Sequence, residues 1–191
     1  NCMSINHGVP LQHRAGYYNW LLAALLVALC VTVGYLFLAI PNVEMFTAAV
    51  FVSGFLTGAG RGTLIGAAAA LLFSLFNPYG AAAPPLLLAQ IVSTALAGLA
   101  GGLVQRARWL ERPVWIRTAL FGCTGLFLTL IYDVLTTLSF AVIMAGGEAG
   151  KIWASFLYGM AFYGLHLLSN TLIFALLLPL LLERLRFITT R

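Results

Sequence analysis

The sequence predicts an all-α integral membrane protein of six transmembrane helices with both termini cytoplasmic. Three observations predict this. Hydrophobic residues make up 62% of the 191-residue chain and charged ones 8%, against about 25% charged in a typical soluble domain. A soluble fold of this size could not cover so much apolar surface. Apolar runs near membrane-crossing length, roughly 17–25 residues, alternate with short Pro-, Gly- and Asn-containing breaks. Once six crossings are drawn, nine of the ten Lys and Arg residues fall on one side, as the positive-inside rule requires of the cytoplasmic face.

The first crossing is expected over 17–40 and stops at Pro41-Asn42. The second, 43–57, is broken by Gly58-Ala59-Gly60-Arg61-Gly62, and the third covers 63–76. Both are short and call for tilt or local thinning of the bilayer. The fourth runs over 85–104. The fifth, 114–145, and the sixth, 152–182, are long enough to protrude or kink. Residues 1–16 are polar and lack an apolar stretch ahead of a cleavage site, so they are expected to be a cytoplasmic arm and no signal peptide. Residues 17–186 form the membrane domain and 187–191 a cytoplasmic tail.

Orientation follows from charge. With the N-terminus inside, Arg14, Arg61, Arg106, Arg108, Arg112, Arg117, Arg184, Arg186 and Arg191 are all inside, and Lys151 alone is outside. Trp20, Trp109 and Trp115 then fall near the inner interface and Trp153 near the outer one, as an aromatic belt requires. The net charge of +5 therefore reports topology. Its residues are scattered over separate inner loops, which argues against a nucleic-acid surface.

Three outer segments result. The first, Ile40-Pro41-Asn42-Val43-Glu44, offers Asn42 and Glu44. The second, "NPYGAAAPP" from Asn77 to Pro85, is longer than a turn needs. Proline fixes φ, so Pro84 and Pro85 are expected to stiffen it as a lid presenting Asn77 and Tyr79; the competing reading is a plain turn. The third is residues 146–151. Inside the spans, polar residues concentrate in the fifth and sixth. Thr129, Asp133, Thr136 and Thr137 share one helical face, with Tyr132 beside them. His166 and Asn170 are spaced i, i+4, with Tyr163 nearby, and Gln90 lies one turn into the fourth span. Intramembrane ionisable groups usually face a cavity or the bundle interior. Gln90 and Asn170 also fit interhelical hydrogen bonds, and His166 also fits a neutral core histidine. At 1.5 Å per residue, Asp133 is expected in the outer half and His166 nearer the centre. A direct pair between them is therefore not expected, and Tyr158 is the better level match for Asp133.

Small residues form ridges: Ala24 and Ala28 in the first span, Gly62 and Gly66 in the third, Gly98 and Gly102 in the fourth. Such spacing lets helices approach closely in lipid, within one chain or against a partner. Cys2, Cys30 and Cys123 have no metal-ligand spacing, so no metal and no cofactor are expected.

With six spans, an N-in topology, the Ala24–Ala28 motif in the first span and "PNVE" in the first outer loop, the chain resembles the S components. These are the substrate-binding subunits of energy-coupling-factor vitamin transporters. The resemblance covers roughly residues 17–186. "PNVE", the glycine-broken helical hairpin and the proline-containing outer loop are similar to cobalamin-type members; a thiamin-like substrate is the other choice. The resemblance implies a non-enzymatic subunit of the plasma membrane. It would capture a vitamin or vitamin precursor from outside through Asn42, Glu44, Asn77, Tyr79, Gln90, Thr129, Tyr132, Asp133, Tyr163, His166 and Asn170. It would dock through Ala24 and Ala28 on a transmembrane scaffold subunit carrying two cytoplasmic ATPases, topple, and release the substrate inward. The chain contains no GxxxxGK[ST] phosphate loop, in keeping with energy supplied by others. No cysteine falls in an outer loop, so a cobalt-ligating cysteine, as a cobalamin-type relative has, is not expected.

Two other readings stand beside it. One is a stand-alone facilitator for small solutes. The other is an intramembrane serine protease using Ser53 and His166, although Phe51 stands where the Gly-x-Ser-Gly signature needs glycine.

Overall fold

The computed structural model describes residues 11–40, 43–146 and 148–189. Every regular element among them is helical. Helix α1 is Leu11–Phe37, α2 Phe46–Thr57, α3 Ala59–Leu75, α4 Pro84–Arg106, α5 Val114–Ala145 and α6 Ala149–Leu172. A π-helical segment, Ile173–Leu177, joins α6 to α7, Leu178–Thr189, and a 3₁₀ turn, Trp109–Glu111, precedes α5. Four stretches are long and apolar enough to cross a membrane: Tyr18–Phe37, Pro84–Arg106, Val114–Ile143 and Ala149–Leu185. Their outward faces carry large apolar side chains, among them Leu25, Leu88, Phe127 and Leu165. These are the features of a membrane protein.

The helical breaks depart from expectation in three places. Helix α1 begins at Leu11, inside the stretch expected to be an arm. The break after α2 is the single residue Gly58, whose φ of 88° suits a residue without Cβ, not a five-residue loop. Helix α2 is only 12 residues, about 18 Å at 1.5 Å per residue, well short of the roughly 30 Å hydrocarbon core.

Helix α4 is central, packing on α2, α3 and α5, while α1 leans on α2 and α3, and α6 packs mainly on α5. The α2–α3–α4 contact is backbone on backbone. A Cβ on Gly98 would run into the Gly62 carbonyl, one on Gly54 into the Gly98 carbonyl, and one on Gly101 into the Phe51 carbonyl. The Gly62 and Gly98 ridges are thus spent inside the chain. Ala24 and Ala28, in contrast, are both exposed on α1. Beneath the seam lies an aromatic cluster: Phe51 sits 5.9 Å from Phe121 and 5.1 Å from Phe174, with Trp109 6.0 Å from Phe121. Trp109 therefore packs inward, unlike the exposed Trp20, Trp115 and Trp153. Arg117, buried near the start of α5, is held by Glu183 of α7 and by the Leu110 carbonyl.

Candidate functional site

Helices α5 and α6 run antiparallel with their turns in step. Gly125 lies against Phe174, Asp133 Oδ1 is 2.7 Å from His166 Nδ1, and the Thr137 and Tyr163 hydroxyls are 2.7 Å apart. The Asp133–His166 pair that depth counting spoke against is therefore present. Counting went wrong because it placed each residue from its own helix end. The seam is centred on the first residues of α6, beyond the Gly146 turn. Tyr158, the expected level match for Asp133, is 91% exposed.

The second His166 nitrogen, Nε2, is 3.0 Å from Glu44 Oε2. Glu44 reaches this depth because α2 is short: its N-terminal end stops below the ends of α5 and α6 at the Gly146 turn. Thr47, the second residue of α2, donates to the other Glu44 oxygen at 3.3 Å. His166 is thus clamped between two carboxylates.

A cavity of about 420 Å³ opens on this clamp. Glu44, Asp133, His166, Tyr132 and Tyr163 supply its polar edge, and Phe46, Phe73 and Phe162 much of its apolar wall. Tyr132 stands edge-on to the His166 ring, centroids 6.0 Å apart. Gln90 accepts from Ser74 at 2.7 Å, tying α3 to α4. A second cavity, about 510 Å³, lies beyond Thr136 and Tyr163 and is lined by Lys151, Ser155 and Tyr158. The Tyr163–Thr137 bond stands between the two. A Cβ on Gly159 would strike the Tyr163 ring, so Gly159 is what lets that ring lie back along α6.

The remaining expected site residues are distributed differently. Thr129 and Asn170 lie one turn further along the seam, each almost wholly buried. Asn42 lies outside the described residues. Asn77 and Tyr79 do not form a lid over the clamp. Asn77 Oδ1 accepts from the Tyr79 amide at 2.9 Å and the Asn77 carbonyl accepts from the Gly80 amide at 2.9 Å, a turn closed on itself. The Tyr79 side chain is 81% exposed, and neither residue lines the 420 Å³ cavity. Pro84 and Pro85 are the first turn of α4, where proline's missing N–H costs nothing, and do not stiffen a lid.

Ser53 and His166 are not joined. The Ser53 hydroxyl donates to the Ala49 carbonyl at 2.9 Å and lies 3.4 Å from Cys30 Sγ, while both His166 nitrogens face carboxylates. Sequence reasoning missed Thr47, Ser74 and the aromatic wall. Thr47 had a signal, its i, i+3 spacing from Glu44. Phe46, Phe73 and Phe162 had none, since aromatics occur throughout these helices.

Compared with family models, with curated proteins and with solved structures, the chain matches none.

Proposed function

We propose that the chain is a membrane-embedded binding protein that takes a small ring-bearing organic solute into the cavity at Glu44, Asp133 and His166. In this reading the protein makes six crossings, with α2 and α3 as short ones and the N-terminus inside. The cavity is reached from the outer face, and the protein is the S component of an energy-coupling-factor importer of the plasma membrane. The carrying observation is the cavity itself: hydrogen-bonding groups from three elements meet an aromatic wall, the usual anatomy of a small-molecule site. Its volume of about 420 Å³ falls low in the range of about 300–1,000 Å³ for such sites. That favours a thiamin-sized ring compound over a corrinoid. The exposed Ala24–Ala28 ridge supports docking of α1 on a scaffold subunit bearing two ATPases, because it is left free when the glycine ridges are spent inside.

Native mass spectrometry of gently purified protein tests the reading. An adduct of vitamin size, lost in His166→Ala, supports it. Solute flux into liposomes by the chain alone, without ATPase subunits, would replace the S-component assignment with a facilitator.

A further inference from the structure

We propose that Asp133, Thr129 and Asn170 bind one dehydrated monovalent cation, sodium in first place, between α5 and α6. The site lies one turn toward the π-helical segment from His166. This inference is independent of which solute fills the cavity above it.

Four buried polar atoms on this seam have no hydrogen-bond partner within the protein: Asp133 Oδ2, Thr129 Oγ1, Asn170 Oδ1 and Asn170 Nδ2. Thr129 and Asn170 are 2% and 1% exposed, so neither is satisfied from outside. The antiparallel register sets Thr129 level with Asn170, directly beneath the Asp133–His166 pair. Asp133 spends Oδ1 on His166 and keeps Oδ2 for this lower level. Residues i and i+4 on a helix are neighbours, roughly 5–6 Å apart at Cβ, so Thr129 and Asp133 reach a common ion.

Thr129 also departs from its own helix. Thr124 and Thr136 donate at 2.8 Å to the carbonyls four residues back, the default for a hydroxyl in an apolar helix. Thr129 has such a carbonyl too and does not use it. Its oxygen is therefore presented to the seam with both lone pairs available.

Chemistry selects the ligand. Asp133 Oδ2, Thr129 Oγ1 and Asn170 Oδ1 are hard oxygen donors, the type that suits hard cations. Asn170 Nδ2 is a donor and takes no part. Two carboxylates, Glu44 and Asp133, stand here against a single imidazole, and in an apolar bundle such a cluster is where a cation is least costly. One carboxylate oxygen with two neutral oxygens matches a monovalent ion and falls short of what a divalent one requires. The π-helical segment begins three residues after Asn170, and such departures from α geometry are frequent at functional sites in helices.

The test is thermal melting of the full chain in nanodiscs at constant chloride and ionic strength, with choline replaced by sodium, lithium or potassium. Sodium is expected to raise the melting temperature by roughly 3–5 °C per tenfold step above its dissociation constant, and choline not at all. Thr129→Val, which keeps the shape, and Asn170→Leu should each abolish the sodium slope. Thr124→Val should keep it. A melting temperature indifferent to all three alkali ions overturns the site, and so does a sodium slope that survives both Thr129→Val and Asn170→Leu. If either variant fails to fold, equilibrium binding of radioactive sodium to the wild-type chain decides. One ion per chain, displaced by unlabelled sodium and not by choline, supports the site; no saturable binding overturns it.

Discussion

The α2–α3–α4 block and the α5–α6 seam bury polar groups and backbone in opposite ways. In the block, glycines bring carbonyls against Cα atoms, and polar side chains are mostly silenced locally. Ser53, Thr57, Thr63 and Ser93 each donate to the carbonyl four residues back. In the seam, side chains hold the helices together: Asp133 to His166, Thr137 to Tyr163, with Thr129 and Asn170 still unpartnered. The glycine contacts of the block leave no space between its helices, whereas the seam is flanked by two cavities, one of them walled on its far side by Phe46 and Phe73 of the block. One half is closed by backbone contact; the other is held by side chains.

The largest expected effect comes from forcing a side chain into the block. Gly98→Val sets a branched side chain against the Gly62 backbone, which cannot rotate away. Overpacking usually costs about 1–3 kcal/mol, and a backbone clash belongs at or above the top of that range. Melting should fall by roughly 6–12 °C or the protein should fail to purify as a single species. Gly60→Ala is the matched control: a Cβ there meets nothing within 4 Å, and helix propensity should add up to about 1 kcal/mol. Equal melting temperatures for the two variants would break the comparison.

Next is His166→Leu. It leaves Glu44 and Asp133 facing each other without a donor, and removing one member of a buried charged set typically costs about 3–5 kcal/mol. The triple variant Glu44→Gln, Asp133→Asn, His166→Leu removes the charges together and should recover most of that loss in thermal melting, while solute binding stays abolished. Failure to recover would mean that the ring's packing, rather than its charge pairing, holds the seam.

A smaller effect is expected at the wall between the cavities. Tyr163→Phe removes one hydrogen bond, about 1 kcal/mol, and frees Thr137. Gly159→Ala pushes the same ring aside without touching its hydroxyl. If Tyr163 closes the solute cavity, both should speed solute release in stopped-flow measurements by roughly tenfold with little change in melting. An effect of Tyr163→Phe alone would reduce its role to the hydrogen bond.

The helical, membrane-compatible architecture was legible because apolar runs and their punctuation are local properties. Residues 114–145 were read to the residue for that reason. The pairing within the block was not legible: Gly62 and Ala24 have the same spacing signature, and only the three-dimensional arrangement sends one inward and leaves the other exposed. The face shared by Thr129, Asp133 and Thr137 could be read from helical period. The Glu44–His166–Asp133 clamp could not, because it depends on a short α2 and on a register set at the α5–α6 turn. Each is a length that sequence punctuation locates only to within a turn of helix.

The smallest expected effect is at the Asn77–Gly80 turn, and it sharpens the comparison most cheaply. This turn joins α3 to α4, so it belongs to the block. Ala82 N–H donates back to the Ser74 carbonyl at 3.3 Å, and Asn77 spends its side chain on the Tyr79 amide. Asn77→Ala should lose about 1 kcal/mol of stability through that hydrogen bond, and Tyr79→Ala should lose nothing measurable. Neither should alter the affinity or release rate of the solute found by mass spectrometry, because neither side chain lines the clamp cavity. Calorimetry on both variants checks this. A loss of affinity beyond about fivefold in Tyr79→Ala would mean that the turn folds over the cavity when solute is bound. The block would then have one moving part, placed where proline at the start of α4 fixes the direction from which it swings.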